Sequence, residues 1–258
     1  MNKKQREQFD FGANWTNFSS LIDKEKELVA RTSLEELTKN IKGKSFLDIG
    51  SGSGLFSIAA ASLGASEVVG IDLSDKCVAI AYQNKERLIP EKNNITFLQG
   101  SILDSKTMPA DKYDIVYSYG VLHHTGNMEQ AFKNIVGYVK PQGVLIIAIY
   151  NKHWSSFFWK GIKKIYNISP RVIRKIIIGV FYPIIFAAKF LVTRKNPLKK
   201  ERGMDFFYDV VDWVGGYPYE YASIQEVQRS FVEQGMTVIR TIPAKVPTGC
   251  NEFIFQKK

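Results

Sequence analysis

The sequence predicts an α/β protein, a doubly wound sheet carrying a helical insertion towards its C-terminal end. Three observations carry that expectation. Residues 46–57, FLDIGSGSGLFS, run from a short apolar strand through a glycine turn into an Ala-rich helix. From there to residue 151, strand-like and helix-like stretches alternate, as successive crossovers of an open sheet do. From His153 to Arg202 the alternation stops, and aromatic, basic sequence takes its place. The expected partition is a leader and helix over 1–45, a core over 46–151, an insertion over 152–222, and a last helix and strand pair over 223–258. The hydrophobic fraction of 45% is ample for a large core. Cys77 and Cys250 lack metal-ligand spacing and make no disulfide framework; Cys77 reads as a small core residue.

The first crossover locates a ligand site, because ligands of open α/β sheets bind at the carboxyl ends of the strands. Phe46–Ile49 is the strand, Gly50, Gly52 and Gly54 make the turn, and LFSIAAASL (55–63) is the helix. Glycine suits a turn that needs positive φ and close approach of a ligand. VVGIDLS (68–74) is the second strand and ends in Asp72, about 20 residues past the turn. An acid at that distance accepts hydrogen bonds from both hydroxyls of an adenosine ribose. A dinucleotide fingerprint spaces its glycines G-x-G-x-x-G. Here Asp48-x-Gly50-x-Gly52-x-Gly54 puts them on alternate residues behind an acid.

That pattern resembles motif I of the class I S-adenosylmethionine-dependent methyltransferases. The resemblance extends over residues 46–151 and is specific for the cofactor, not for the acceptor. It implies a seven-stranded sheet with its last strand antiparallel. It also implies S-adenosyl-L-methionine as cofactor, held by Gly50, Ser51, Gly52 and Gly54, with Asp48 meeting its amino group directly or through water. Asp72 and Leu73 would lie at the ribose. The competing reading is a glycine turn that only lets strand and helix pack.

Before this core, FDFGANWTNFSS (9–20) leads into a helix expected over Asp23–Asn40. In related enzymes such a leader folds over the cleft; Trp15 and Phe18 either do so or plug the core beneath the first helix. After Asp72, a helix over Asp75–Ile89 stops near Pro90, and ITFLQG (95–100) is the third strand. It ends in Gly100-Ser101-Ile102, where the family commonly has an acid and an apolar residue beside the adenine. Ser101 departs from that pattern, and a hydroxyl bonds more weakly than a carboxylate. YDIVYSYG (113–120) is the fourth strand and brings Tyr119 to the cofactor side. Asn127 is the expected N-cap of the next helix, and KPQGVLIIAIYN (140–151) is a fifth strand, apolar throughout as a buried parallel strand should be.

His123 and His124 follow the fourth strand. Histidine titrates in the range that suits removal of a proton from a hydroxyl or amine. His123 is therefore the candidate general base and His124 a substrate contact. The alternative gives both a capping or packing role, since methyl transfer can rest on positioning alone.

The net charge of +10 is concentrated. Residues 152–202 hold 13 Lys/Arg and one acid, Glu201, whereas the rest of the chain holds 22 bases and 24 acids. Such asymmetry points to an anionic partner. Ile176–Ala188 is an uncharged apolar run of thirteen followed by Lys189 and broken by Pro183, short of the roughly 20 residues of a membrane span. A core or interfacial helix is expected. Trp154, Trp159, Lys163, Lys164, Arg171, Arg174 and Lys175 suit an acidic membrane surface, while a lid over the active site or a dimer partner accounts for the same apolar side. ERGMDFFYDVVDWVGGYPYEYAS (201–223) reads as a structured loop. It offers Tyr208, Asp212 and Trp213, with Asp209, Tyr217 and Tyr219, as contacts for sugar rings or polyols, unless it is an Ω-loop packed on its own aromatics. Ser223 opens a capping box, and MTVIRTIPA with NEFIFQKK closes the sheet.

The expected function is in-line methyl transfer to a small or lipid- or glycan-linked acceptor, with no metal. An RNA methyltransferase is not favoured. No RNA-binding module is visible, and Ser118-Tyr119-Gly120-Val121 stands where many amino-group methylases carry Asn/Asp-Pro-Pro-aromatic. A non-catalytic cofactor-binding subunit is the third reading. MNKKQREQFDFG has no apolar signal stretch, so the cytoplasm is expected, at most peripheral to the inner face of the membrane.

Overall fold

The computed structural model describes residues 9, 22–38, 40–194, 196–198 and 206–258. Trp15 and Phe18 lie outside the described residues. Helix α1 (Lys24–Leu37) starts where the Asp23 side chain accepts from the Lys26 backbone N–H at 2.9 Å. The core then follows as β1 (Ser45–Ile49), α2 (Leu55–Ser62), β2 (Glu67–Asp72), α3 (Asp75–Leu88), β3 (Ile95–Gln99), β4 (Tyr113–Tyr119), α4 (Met128–Gly137) and β5 (Val139–Tyr150). Among the described residues the insertion has three helices, α5 (Ser156–Ile168), α6 (Arg171–Thr193) and α7 (Phe206–Gly215). Helix α8 (Ile224–Val232), β6 (Met236–Ile242) and β7 (Cys250–Lys257) complete the chain.

The seven strands form one sheet in the order β3-β2-β1-β4-β5-β7-β6. The first five pair in parallel, and β7 runs antiparallel to both β5 and β6. The order reverses between β1 and β4, so the crevice at their carboxyl ends is the switch point where a ligand belongs. Strand residues alternate between two cores. Leu47 and Ile49 pack with Phe132 and Ile135 of α4 and Val227 and Phe231 of α8. Phe46 faces the other way, with Leu34 of α1, Ile58 of α2 and Ala81 of α3. Because period 2 sends Asp48 to that second side too, its carboxyl lies over α2.

Two expectations are corrected here. Residues 206–215 are helix, not loop. Phe206, Val210 and Val214, spaced four apart, are buried against Tyr166 and Ile178. Aromatic residues on the flanks of that stripe hide its period in the sequence. Pro183 also fails to stop α6, which continues as one helix of 23 residues. Proline removes one intrahelical bond but leaves its flanking turns intact. The helical stretch Arg171–Val192 is thus long and apolar enough to cross a membrane, which the run of thirteen alone was not.

The capping box of α8 is present: Ser223 Oγ accepts from Glu226 N, and Glu226 Oε2 accepts from Ser223 N. Phe231 of the same helix is fully buried between Phe132 and Phe255, at ring separations of 4.9 and 4.7 Å. Denaturant unfolding should show Phe231→Ala destabilised by about 3–5 kcal/mol and Ser223→Ala by about 1 kcal/mol. Equal, small effects would contradict this placement of α8 on the core.

Candidate active site

The turn after β1 is fastened to the end of β2. Gly50 N and Ser51 N both donate to Ile71 O, at 2.7 and 2.9 Å. Gly52 N donates to Asp72 Oδ2 and Ser74 N to Asp72 Oδ1, each at 2.9 Å. Gly50, Gly52 and Gly54 all take positive φ. At Gly50 a Cβ would come within 2.3 Å of Val121 Cγ2, so the loop after β4 itself closes on the turn. From α3, Asn84 Nδ2 donates to Ser53 O at 2.9 Å and steadies the far side.

Asp48 is buried at the end of β1, its Oδ2 accepting from Ser57 Oγ at 2.6 Å. Burial raises its pKa to about 7, against the lowering effect of the Ser57 bond, and the nearby Asp72 charge raises it further. Burial also raises the pKa of Asp72, opposed by the backbone bonds from Ser74 and Gly52. Two acids therefore sit close together and favour a cationic neighbour.

Beyond them opens a cavity of about 410 Å³. Asp48, Gly50 and Ser51 line one end, and Phe56, Tyr117 and Tyr119 form an aromatic wall. These rings stack on one another, Phe56 to Tyr117 at 5.2 Å and Tyr117 to Tyr119 at 5.8 Å. Lys189 and Phe206 come from the insertion, as does Asp209, whose Oδ2 is 3.3 Å from Lys189 Nζ. Val246, Cys250 and Glu252 come from the β6–β7 side.

The structure brings Asp48, Gly50, Ser51 and Tyr119 to this cavity, with Gly52, Gly54 and Asp72 shaping the turn beside it. Leu73 is exposed next to Asp72. Ser101 Oγ accepts from Leu103 N at 3.2 Å and keeps its own O–H to donate, whereas the Ile102 side chain is buried in the core. Of the expected substrate contacts, Asp209 alone reaches this cavity. Asp212 lies off the cavity, as does Tyr208, which packs at the edge of the second core. Trp213 stacks on Trp159 at 4.0 Å, and its carbonyl accepts from Lys163 Nζ. Helical phase explains the difference, for Phe206 and Asp209 are the α7 residues turned towards the cavity.

The histidines also differ from expectation. His123 is 1% exposed and does not line the cavity. Burial, with the charges of His124 and Lys163, holds its pKa well below the usual value. Tyr150 N lies 3.4 Å from its Nδ1, and its Nε2 is enclosed away from the cavity. His124 Nδ1 donates to Pro218 O at 2.6 Å, and burial beside Lys163 lowers its pKa to about 3. Both rings pack on Tyr150.

With this geometry in place, the family described as "Methyltransferase domain" matches residues 40–174, more than half of the chain. The chain belongs to that family. It is a class I S-adenosylmethionine-dependent methyltransferase. A ubiquinone biosynthesis O-methyltransferase of Coxiella burnetii is 28% identical over 166 residues, 63% of this chain and 68% of that protein. Magnesium protoporphyrin IX methyltransferase of Synechocystis PCC 6803 shares the fold at TM-score 0.55 and 18% identity, over 100% of this chain and 89% of that one. An S-adenosylmethionine-dependent methyltransferase of Mesorhizobium loti does so at TM-score 0.57 and 14% identity, over 88% and 96%.

The residues of this methyltransferase fit the cofactor. Ser51 Oγ is buried at the cavity end with no hydrogen-bond partner among the described residues. Each Asp72 oxygen takes one backbone N–H and the Cys77 side chain adds a further bond, which leaves the carboxylate lone-pair capacity for a ribose hydroxyl. Asp48 supplies a charge for the ammonium end. When bound, S-adenosylmethionine carries the methyl group on a sulfonium that a nucleophile can displace in line.

Two results should follow. Asp72→Ala should weaken cofactor binding by about 1.5–3 kcal/mol in calorimetry, as for bonds to a charged acceptor. The second concerns pH. Only ionised Asp48 attracts the ammonium, so affinity should rise as pH climbs from about 5.5 to 7.5, and Asp48→Asn should flatten the profile. The same raised pKa costs the ligand-free fold stability as pH rises from 3.8 to about 7, so cofactor should protect most at the alkaline end. A flat wild-type profile would exclude this role for Asp48.

Proposed function

We propose that this methyltransferase acts on a hydroxyl oxygen of a small, largely apolar acceptor, free or carried on a lipid or glycan. The observation that carries the reading is the cavity wall. Aromatic rings of β4 and α2 face one ion pair, Lys189–Asp209, across a volume of about 410 Å³ that begins at Asp48 and Gly50. With its Asp48 and Gly50 end given to the cofactor, the remaining volume suits a ring-sized group. Stacked rings hold a flat apolar body, while the ion pair meets its polar edge. Lys189 can stabilise charge developing on the acceptor oxygen, and Asp209 can hydrogen-bond the departing proton. Position and exclusion of water supply most of the rate. Oxygen as the nucleophile is supported by the Coxiella burnetii relative, named an O-methyltransferase.

Transfer of radiolabelled methyl into fractionated extract tests the proposal. Label should enter the lipid or small-molecule pool as an O-methyl group; label in RNA or protein would overturn it. Lys189→Met and Asp209→Asn should each lower kcat/KM for the acceptor by roughly ten- to a hundredfold with cofactor affinity held. His123→Gln should keep kcat within about tenfold of wild type, since general-base loss costs more than that.

A further inference from the structure

Helices α5 and α6 both pack on α7 and turn a wide apolar surface away from it. On α6 the inward stripe is Ile178, Tyr182, Phe186 and Lys189; Tyr182 and Phe186 meet Phe206, and Lys189 pairs with Asp209. The outward stripe is Val172, Ile176, Val180, Ile184 and Leu191, all exposed. On α5 the exposed residues include Phe157, Phe158, Ile165 and Ile168, with Trp154 just before the helix at 77% exposure. Of the 22 large apolar side chains exposed among the described residues, 13 fall within residues 154–192. A cluster of that kind marks an interaction surface rather than scattered exposure.

The charge beside this surface has one sign. Lys152 to Arg194 contains nine Lys/Arg and no Asp or Glu. Not all of these bases point outward, contrary to the expectation from sequence. Lys163 is 1% exposed, and Arg174 donates to Ser169 O and Asn167 O at the end of α5. Trp159 is turned inward onto Trp213 as well. The exposed bases are Lys160 and Lys164 on α5 and Arg171 and Lys175 on α6, with Lys152, paired to Glu226, before α5 and Arg194 after α6. Lys160 and Lys164, four residues apart, form a row beside the apolar face of α5, whereas Arg171 and Lys175 continue the line of Ile178 and Tyr182 at the N-terminal end of α6.

We infer that this two-helix face docks on an anionic bilayer, lying in the plane of the interface with the apolar stripes in the headgroup–acyl boundary. Lys160 and Lys164 beside the apolar face fit the headgroup charge, Arg171 and Lys175 add to it from the open end of α6, and their long stems let the ammonium and guanidinium groups reach it. Three features favour this occupant. A spanning helix would meet lipid all round, whereas one stripe of α6 is committed to α7 and carries an ion pair. A second copy would bring the same patch against itself, because a two-fold interface is self-complementary, and would set like charges together. Finally, α6 places Lys189 on the wall of the methylation cavity while its outer face meets lipid. An acceptor dissolved in the bilayer is then held beside that cavity, a step that rests on the proposed acceptor class, as the docking does not.

The test uses the full chain with phosphatidylcholine vesicles, alone or with about 40 mol % phosphatidylglycerol. The protein should sediment with the acidic vesicles at low salt and be released by high salt. The combined variant Lys160→Glu, Lys164→Glu, Arg171→Glu, Lys175→Glu should lose at least roughly a hundredfold in partitioning, since each base contributes about fivefold near such a surface. Ile176→Ser, Val180→Ser, Ile184→Ser should lose the part of binding that salt does not remove. Both variants should keep wild-type cofactor affinity in calorimetry, which separates loss of docking from loss of fold. Three results would overturn the inference: indifference of the wild type to acidic vesicles, a dimer in solution that the serine variant dissociates, or retention in native membranes after alkaline carbonate.

Discussion

The fastening of one glycine turn to the end of the neighbouring strand is the constraint on which the rest of the site depends. Ile71 O and the Asp72 carboxylate together hold Gly50, Ser51 and Gly52 by their backbone N–H groups. A carboxylate that accepts from two backbone donors cannot rotate away, so its free lone pairs keep one direction. The same fastening keeps β1 and β2 in register to their last residues, from Ser45 opposite Glu67 to Ile49 opposite Ile71. Asp48 is thereby kept behind the turn, on Ser57. Mutual repulsion of Asp48 and Asp72 and the burial of both raise the cost of the empty, ionised site. A ligand with positive charge at its sulfonium and ammonium groups relieves that cost, which explains how two acids can be retained so close together.

The insertion completes what the sheet begins. Strand ends and α2 build the cofactor side, but Lys189, Phe206 and Asp209 come from α6 and α7. These side chains reach the cavity because Phe206, Val210 and Val214 pack α7 against α5 and α6. Helix α6 therefore has two incompatible solvents to satisfy. Its inner stripe ends in an ion pair at the cavity, and its outer stripe is hydrocarbon with no hydrogen-bonding capacity. Separation of those stripes by the 3.6-residue period lets one helix do both.

How far the sequence was legible follows from the kind of interaction involved. Strands and helices of the core were readable because local pattern and tertiary role coincide: apolar β-strands between glycine or proline turns, Asn127 and Ser223 at helix starts, three glycines where φ is positive. Asp48, Gly50, Ser51, Asp72 and Tyr119 were readable because their spacing to the turn sets their position. Phe56, Tyr117, Lys189, Phe206 and Glu252 were not singled out, and Asp209 was offered only as one substrate contact among several. Their common feature is a meeting of elements far apart in sequence, which no single window records. A stricter count of period would have found α7, since Phe206, Val210 and Val214 are four apart. His123 was misplaced for another reason. Its chemistry suggests a base, but the short turn after β4 directs its ring beneath Tyr150, and position overrides chemistry.

Those histidines belong to a buried polar junction between core and insertion. Lys163 Nζ lies over the rings of Tyr219, Tyr150 and Trp213, at 4.7, 5.5 and 5.7 Å, and donates to Trp213 O. Burial lowers its pKa to about 7, against the charges of Asp212 and Cys250, which raise it. One turn on, Asn167 Nδ2 donates to Gly215 O at 2.6 Å, and His124 holds Pro218 O from the core side. Three segments distant in sequence are thus joined by polar groups that would be costly to bury apart. Such a junction resists sliding in a way a purely apolar contact does not, because its hydrogen bonds hold only over a narrow range of distance and angle. The insertion is therefore fixed in orientation relative to the sheet. A surface that binds α5 and α6 also sets the direction in which the methylation cavity faces.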